Sequence, residues 1–282
     1  MKPLVAIVAP GSMGAAVARR LTDNNLRVLT TLAGRSAESE KRALAAGMSP
    51  VPPERLVEAD FVLSIVPPGV ALPFAEEMVP HLKAAKRKPV FVDCNSVSPA
   101  TVKRIYATIK PSGAPFVDAG IIGGPPQQGY DGPWFYASGD QAAKFQTLSQ
   151  YGLVIRTLDA PIGAASALKM AYAGITKGCI AVVTGMILAA ERAGCGDVLR
   201  QQLSETEATL LKSMSFRVPA MFPKAYRWVA EMQEIAQFAS EDPATAKIYM
   251  GASELYDRMA RDLTGGKHET TALADFFKSK SS

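Results

Sequence analysis

A lysine stands alone among small and apolar residues in Gly163-Ala164-Ala165-Ser166-Ala167-Leu168-Lys169-Met170-Ala171-Tyr172-Ala173-Gly174. At helical spacing its neighbours one turn either way are Ala165 and Ala173, a shallow floor on which a flat ligand could lie, with Tyr172 beside it. Desolvation lowers the pKa of a lysine, which makes its amine a usable proton donor and acceptor near neutrality. The same spacing also suits a lysine snorkelling from a helix interface. Upstream, Asp118-Ala119-Gly120-Ile121-Ile122-Gly123-Gly124-Pro125 runs from an apolar stretch into a loop. Consecutive glycines there could cradle a carboxylate on backbone N–H groups, or could simply turn a hairpin. Histidine offers little, because only His81 and His268 exist and both lie in polar, punctuated segments. No metal site is expected, and an acid-base group other than histidine is.

A second set of residues points to a nucleotide. The run Leu4 to Ala9 is followed by Pro10-Gly11-Ser12-Met13-Gly14 and then by a helical pattern. In a dinucleotide-binding βαβ unit, successive glycines make the tight turn, admit the pyrophosphate to the backbone and let helix pack on strand. Gly11 and Gly14 fill the second and third places, and Ala9 fills the first. The next strand pattern ends in Thr30-Thr31-Leu32-Ala33-Gly34-Arg35-Ser36, with no carboxylate before Glu38. An NAD-selective site wants an acidic group there for the ribose 2′-OH, whereas Arg35 and Ser36 suit a 2′-phosphate, so NADP is expected over NAD. Two further strand ends, Val66-Pro67-Pro68-Gly69 and Asp93-Cys94-Asn95-Ser96, supply a rigid donor-poor wall and polar groups for ribose or carboxamide. Each of these could also be plain turn chemistry.

The elements that must position these residues alternate through the first half. Strand-like runs at Leu4 to Ala9, Arg27 to Leu32, Asp60 to Val66, Pro89 to Cys94, Pro115 to Ile122, Trp134 to Ser138 and Leu153 to Arg156 are separated by helix-length segments. Runs apolar on both faces with helical crossovers predict an α/β, Rossmann-type doubly wound parallel sheet. After Arg156 the strand signal stops, and helical patterns run at Ala164 to Ala193, Asp197 to Met214, Lys224 to Ala239 and Ala244 to Leu263, with a polar tail. This predicts a nucleotide-binding domain over 1–160 and an all-α domain over 161–282, opening on a long interdomain helix and serving substrate binding and dimerisation.

Composition fits an ordinary globular protein of 282 residues, 48% hydrophobic and 20% charged. Cys94, Cys179 and Cys195 form no CxxC pair, which predicts free thiols and a cytoplasmic setting. The run Leu4 to Ala9 is short for a signal-peptide core, and the charge-free stretch Gly178 to Ala190 is short of the ~20 residues of a membrane span, so a core helix and no membrane association are expected. The net charge of +5 includes a basic run at Lys83, Lys86, Arg87 and Lys88, read as a solvated helix end rather than a nucleic-acid surface.

Taken in order, these motifs resemble the β-hydroxyacid dehydrogenases, the family of 3-hydroxyisobutyrate dehydrogenase and of the 6-phosphogluconate dehydrogenase N-terminal domain. The resemblance rests on the Gly11-Ser12-Met13-Gly14 turn, Gly34-Arg35-Ser36, the Pro67-Pro68 wall, Asp93-Cys94-Asn95-Ser96-Val97-Ser98-Pro99, Asp118-Ala119 with Gly123-Gly124, and Gly163-x-x-Ser166-x-x-Lys169. The segment Lys224 to Ala236 resembles a poorly characterised branch with its own C-terminal helical domain. The resemblance implies NADP-dependent hydride transfer to or from a β-hydroxy or β-keto acid or related aldehyde. It also implies Lys169 as general acid-base, and Gly123 and Gly124 with Ser96 holding a substrate carboxylate. The long helix from Ala164 and the apolar C-terminal helices point, on their own, to a homodimer. Three positions depart from the family pattern: Ala9 replaces a glycine, Ile122 a serine and Tyr172 an asparagine. The last two imply a pocket for a bulkier or less polar substrate. The rival readings are an imine reductase, which shares this architecture but usually lacks the lysine, and a non-catalytic NADP-binding sensor.

Overall fold

The computed structural model describes residues 2–278. The chain divides into two units, 1–170 and 171–282.

The first unit is built on one eight-stranded sheet ordered β3-β2-β1-β4-β5-β6-β7-β8. Its strands are β1 (Val5–Ile7), β2 (Val28–Thr30), β3 (Ser49–Pro50), β4 (Phe61–Ser64), β5 (Val90–Asp93), β6 (Phe116–Ile122), β7 (Trp134–Ser138) and β8 (Val154–Thr157). All neighbours pair in parallel except β6 and β7, which run antiparallel with Asp118 opposite Ser138. The sheet is therefore mixed rather than wholly parallel, because the Gly123 to Pro133 loop returns the chain directly instead of by a helical crossover. Strand residues are buried on both faces. Val5, Ile7, Leu63 and Val92 pack with α1 (Ser12–Asp23), α2 (Ala37–Ala45) and α5 (Ala142–Gln146). Ala6, Val62, Phe91 and Phe116 pack with α3 (Pro68–Ala84) and α4 (Pro99–Ile109). This two-sided burial is why the strands read as continuous apolar runs. The strand order reverses between β1 and β4, opening a crevice at the carboxyl ends of the strands.

The basic run after α3 has a local explanation. Lys88 donates from Nζ to the carbonyls of Leu82 (2.6 Å) and Lys83 (2.8 Å), closing the helix end where the macrodipole favours a cation. Arg87 pairs with Asp60.

A single helix, α6 (Ala164–Arg192), is 29 residues long and contains the division between the units, so the strand signal ends before the packing boundary does. By length and composition α6 is long enough and apolar enough to cross a membrane, and 39% of its most apolar stretch is buried. The helix expected from Ala164 to Ala193 is thus present almost to the residue, with the charge-free stretch inside it and only part of its surface covered.

The second unit continues with α7 (Gly196–Thr206), α8 (Ala208–Met221), α9 (Ala225–Phe238), α10 (Pro243–Thr264) and α11 (His268–Phe277). Gly174 and Gly178 on α6 leave room for Tyr249 of α10, whose hydroxyl would lie 2.8 Å from a Cβ added at Gly174. Lys177 pairs with Glu231 and lies 4.9 Å from the centre of the Trp228 ring, while Tyr256 donates its hydroxyl to the Lys177 carbonyl at 2.5 Å. These contacts bind α6 to α9 and α10. The polar tail expected after Leu263 is partly α11. Its first amides, those of Glu269 and Thr270, donate to the Asp262 carboxylate of α10.

Candidate active site

Strands β1, β2, β4, β5 and β6 are parallel, so the segments that leave their carboxyl ends gather at one edge of the sheet. That edge receives Ala9 to Gly14 from β1, Arg35 and Ser36 from β2, Val66 and Pro67 from β4, Asn95 and Ser96 from β5, and Ile122, Gly123 and Gly124 from β6.

The turn after β1 tests directly whether a dinucleotide pyrophosphate could sit there. Gly11 precedes α1 with extended backbone, no side-chain cap serves the first turn, and that turn carries no acidic residue. The leading amides of α1 are therefore without a local acceptor, and a Cβ added at Gly11 would meet nothing within 4 Å. At Gly14 the reverse holds, since an added Cβ would run into the carbonyl oxygen of Ala9. Gly11 keeps the turn open and Gly14 lets helix seat on strand, so the residues fit the group. Ala9 and Pro10 are buried while Ser12 is exposed and Met13 half-buried.

Arg42, which sequence reasoning passed over, holds this turn from α2 by donating Nε to the Pro10 carbonyl at 3.0 Å. It also pairs with Glu38 at 2.5 Å, so the first carboxylate after β2 is already engaged. Arg35 and Ser36 are exposed, and Ser36 caps α2 by accepting from the Ser39 amide.

The polar groups after β5 divide differently from expectation. Asn95 is buried, and its side-chain oxygen accepts from the Val66 amide at 2.7 Å. Its side-chain nitrogen donates to Ser64 Oγ and to Asp93 Oδ2, both at 2.9 Å. Both amide hydrogens are committed to tying the ends of β4 and β5 together, which leaves neither to donate to a ribose or carboxamide. Ser96, next along, is half-buried. Burial pushes the Asp93 carboxyl up to about 7 against the Asn95 hydrogen bonds, with Asp118 raising it further and the Lys169 charge drawing it down. Burial likewise raises the Cys94 thiol, which suits an inert packing residue.

Lys169 is half-buried on α6. The helix descends onto β6 at Gly120, where an added Cβ would lie 2.8 Å from the Ala165 carbonyl oxygen and 3.1 Å from Lys169 Cβ. Asp118 lies against the helix start and Gly120 against Lys169, so α6 advances toward the Ile122-Gly123-Gly124 end of the strand. Ile122 is half-buried, and Gly123 and Gly124 are exposed, with Gly123 at φ 123°. Tyr172, one turn beyond Lys169, is 51% exposed and belongs to the second unit. The loop after Gly124 is held by Arg20 of α1, which donates to the carbonyls of Tyr130 (2.8 Å) and Gly152 (3.3 Å). Among the described residues no group of His, Cys, Asp and Glu could hold a metal ion.

Known proteins match this arrangement. Residues 4–151 match the NAD binding domain of 6-phosphogluconate dehydrogenase, and residues 190–259 match a domain of unknown function, DUF1932. The chain is 29% identical over 218 residues to an uncharacterized 28.5 kDa protein in the 7S RNA 5′ region of Methanothermus fervidus, covering 76% of this chain and 82% of that protein. A conserved protein of unknown function, described as structurally similar to 3-hydroxyacid dehydrogenases, is 30% identical, with 93% of this chain and 98% of that one covered at a TM-score of 0.69. The Mycobacterium tuberculosis 3-hydroxyisobutyrate dehydrogenase solved with L-serine is 18% identical, over 93% and 95% of the two chains, at a TM-score of 0.70. An imine reductase from Myxococcus stipitatus, solved with NADP+, shares the fold at 14% identity, over 98% and 100% of the chains, with a TM-score of 0.56. With its nucleotide-binding sheet and helical second half, the chain belongs to the β-hydroxyacid dehydrogenase family, in a branch with its own C-terminal helical domain.

Proposed function

We propose that this protein is an NADP-dependent oxidoreductase that interconverts a β-hydroxy acid with the corresponding carbonyl compound, with Lys169 as the general acid-base. The observation that carries the reading is Lys169 standing over β6 at Gly120, on the strand that leads to the Gly123-Gly124 loop. Bound nicotinamide supplies or takes up hydride. Lys169 gives its proton to the substrate oxygen in reduction and removes it in oxidation. The Gly123 and Gly124 amides and the Ser96 hydroxyl bind the substrate carboxylate, and the residue types at Ile122 and Tyr172, two further substrate-binding positions in this reading, suit a bulkier or less polar substrate. Ala9 to Gly14 hold the pyrophosphate, with Val66 and Pro67 as the facing wall, and Arg35 and Ser36 take the 2′-phosphate. Engagement of Glu38 by Arg42 supports NADP over NAD, because it withdraws the nearest carboxylate from the ribose. Asn95 braces the wall at Val66 and holds this side of the cofactor site in shape. The exposed seam on α6, described below, supports a homodimer.

Replacing Lys169 with Ala should lower kcat by roughly 10²- to 10⁴-fold while NADPH still binds, as followed by cofactor fluorescence and turnover of a panel of aldehyde acids and cyclic imines. Normal turnover of aldehyde acids in that variant would remove the lysine from the mechanism. Preference for cyclic imines in the parent protein would favour C=N reduction, and NADPH binding without any turnover would favour a sensor. Arg35→Ala should weaken NADPH by about 10- to 100-fold and NADH far less, the scale of a lost charge-assisted contact. An equal loss on both cofactors would show that Arg35 does not read the 2′-phosphate.

A further inference from the structure

A lysine that must meet a substrate atom needs its helix fixed to the sheet, and the first turn of α6 is held by a single buried carboxylate. Asp118 Oδ2 accepts from the Gly163 amide (2.8 Å), the Ser166 amide (3.1 Å) and Ser138 Oγ (3.0 Å), and Oδ1 accepts from Ser166 Oγ at 2.6 Å. Ser138 Oγ in turn accepts from the Ala165 amide at 3.2 Å. Three amides that a helix start leaves orphaned are thereby satisfied by one cross-strand pair, since Asp118 and Ser138 face each other in the β6–β7 ladder. A carboxylate at a helix N-terminus is also favoured by the macrodipole. Asp118, Ser138 and Ser166 are all buried, so no solvent competes for these bonds.

Gly120 completes the arrangement. It lies two residues from Asp118, on the same face of β6, where any side chain would push against the Ala165 carbonyl and Lys169 Cβ. The carboxylate draws the helix down, and the bare glycine lets it come down at Lys169.

We propose that Asp118, acting through Ser166 and Ser138 and with Gly120 as the seat, is the positioning residue for Lys169. This proposal rests on the reading of Lys169 as the acid-base group. Displacing the amine by about 1 Å is enough to cost a rate on the order of 10²-fold, which sets the expected effect.

The test uses the whole chain with Ser166→Ala, Ser166→Thr and Gly120→Ala. In the cofactor-free protein, the lysines carry 13C-dimethyl labels, and the Lys169 signal is assigned by its loss in Lys169→Arg. The expected result is a Lys169 signal displaced in chemical shift and titration midpoint in Ser166→Ala and Gly120→Ala, and returned by Ser166→Thr. NADPH affinity should stay unchanged, and kcat for a four-carbon aldehyde acid should fall by about 10²-fold in Gly120→Ala and by less in Ser166→Ala. A purely structural role would reduce the fraction of protein that binds NADPH without moving the signal or the pH profile of kcat. An unmoved Lys169 signal in both variants, with NADPH binding intact, would overturn the positioning role and leave the lysine reading standing. Normal turnover in Lys169→Ala would overturn the lysine reading instead, while the signal in Ser166→Ala would still report where the amine is held.

Discussion

The two units differ in what covers their apolar surface. In the first, the helices of the same chain close over both faces of the sheet, and Val5, Ile7, Val62, Leu63, Phe91 and Val92 are almost wholly buried. In the second, α6 leaves Tyr172, Ile175, Cys179, Val182 and Met186 exposed, spaced alternately by three and four residues, and Ile175 is 68% exposed. That alternation is the spacing of a coiled-coil seam, and a seam needs another helix against it. The first unit reads as a finished nucleotide-binding body, whereas the second leaves an apolar stripe uncovered, the surface that the proposed homodimer would use. The comparison separates two kinds of apolar residue that look alike in sequence.

The sharpest way to break this contrast is to charge the seam. Ile175→Glu with Val182→Glu should weaken self-association by roughly 10³-fold or more, because two carboxylates would be desolvated without partners. Light scattering across protein concentration should then show a monomer, with NADPH affinity of the first unit unchanged. A parent protein that is itself monomeric would show that the seam is not a dimer contact.

A smaller effect distinguishes packing from binding within the first unit. Gly14→Ala forces a Cβ onto the backbone of Ala9 and should destabilise the fold by about 1–3 kcal/mol, read as a lower unfolding midpoint. Gly11→Ala places its Cβ in open space and should leave that midpoint unchanged while weakening NADPH. If both variants lost stability equally, the turn would be packed rather than open.

Much of this was legible because local pattern and tertiary role coincide. Doubly buried strands read as apolar runs, and Gly11, Gly14 and Lys169 stand out by type and spacing. What escaped depends on distant partners. Strand β3 is two residues long and only partly buried, so it carries no periodic signal. The break between α7 and α8 falls at Glu207, with φ −134° and ψ 39°, where neither proline nor glycine marks it. Helix α11 follows Lys267 in the left-handed region and takes its cap from Asp262 on another helix, so a polar stretch after two glycines concealed it. By type Asn95 is a ligand group, and only the alignment of β4 with β5 shows that its amide also ties the two strand ends together. Arg42 carries no signal of its own, because an arginine on an exposed helix looks like any solvated charge until the Pro10 carbonyl is placed beside it.

The subtlest test concerns the carboxyl of Asp93 at the end of β5, raised by burial from an ordinary 3.8 to about 7. Between those values the folded chain keeps a proton that the unfolded chain has released. The folded state therefore binds more protons, and its stability falls as pH rises from about 4 to about 7, then changes no further on this account. The effect belongs to the first unit, so an unfolding probe there should carry the slope, whereas a probe in α9 or α10 should carry it only if both units unfold together. Asp93→Asn removes the titration at the cost of an acceptor for Asn95, so the informative quantity is the slope of stability with pH rather than stability itself. Denaturant melts at intervals from pH 4 to 8 should show that slope flattened in the variant. A slope that survives would assign the proton to a group other than Asp93.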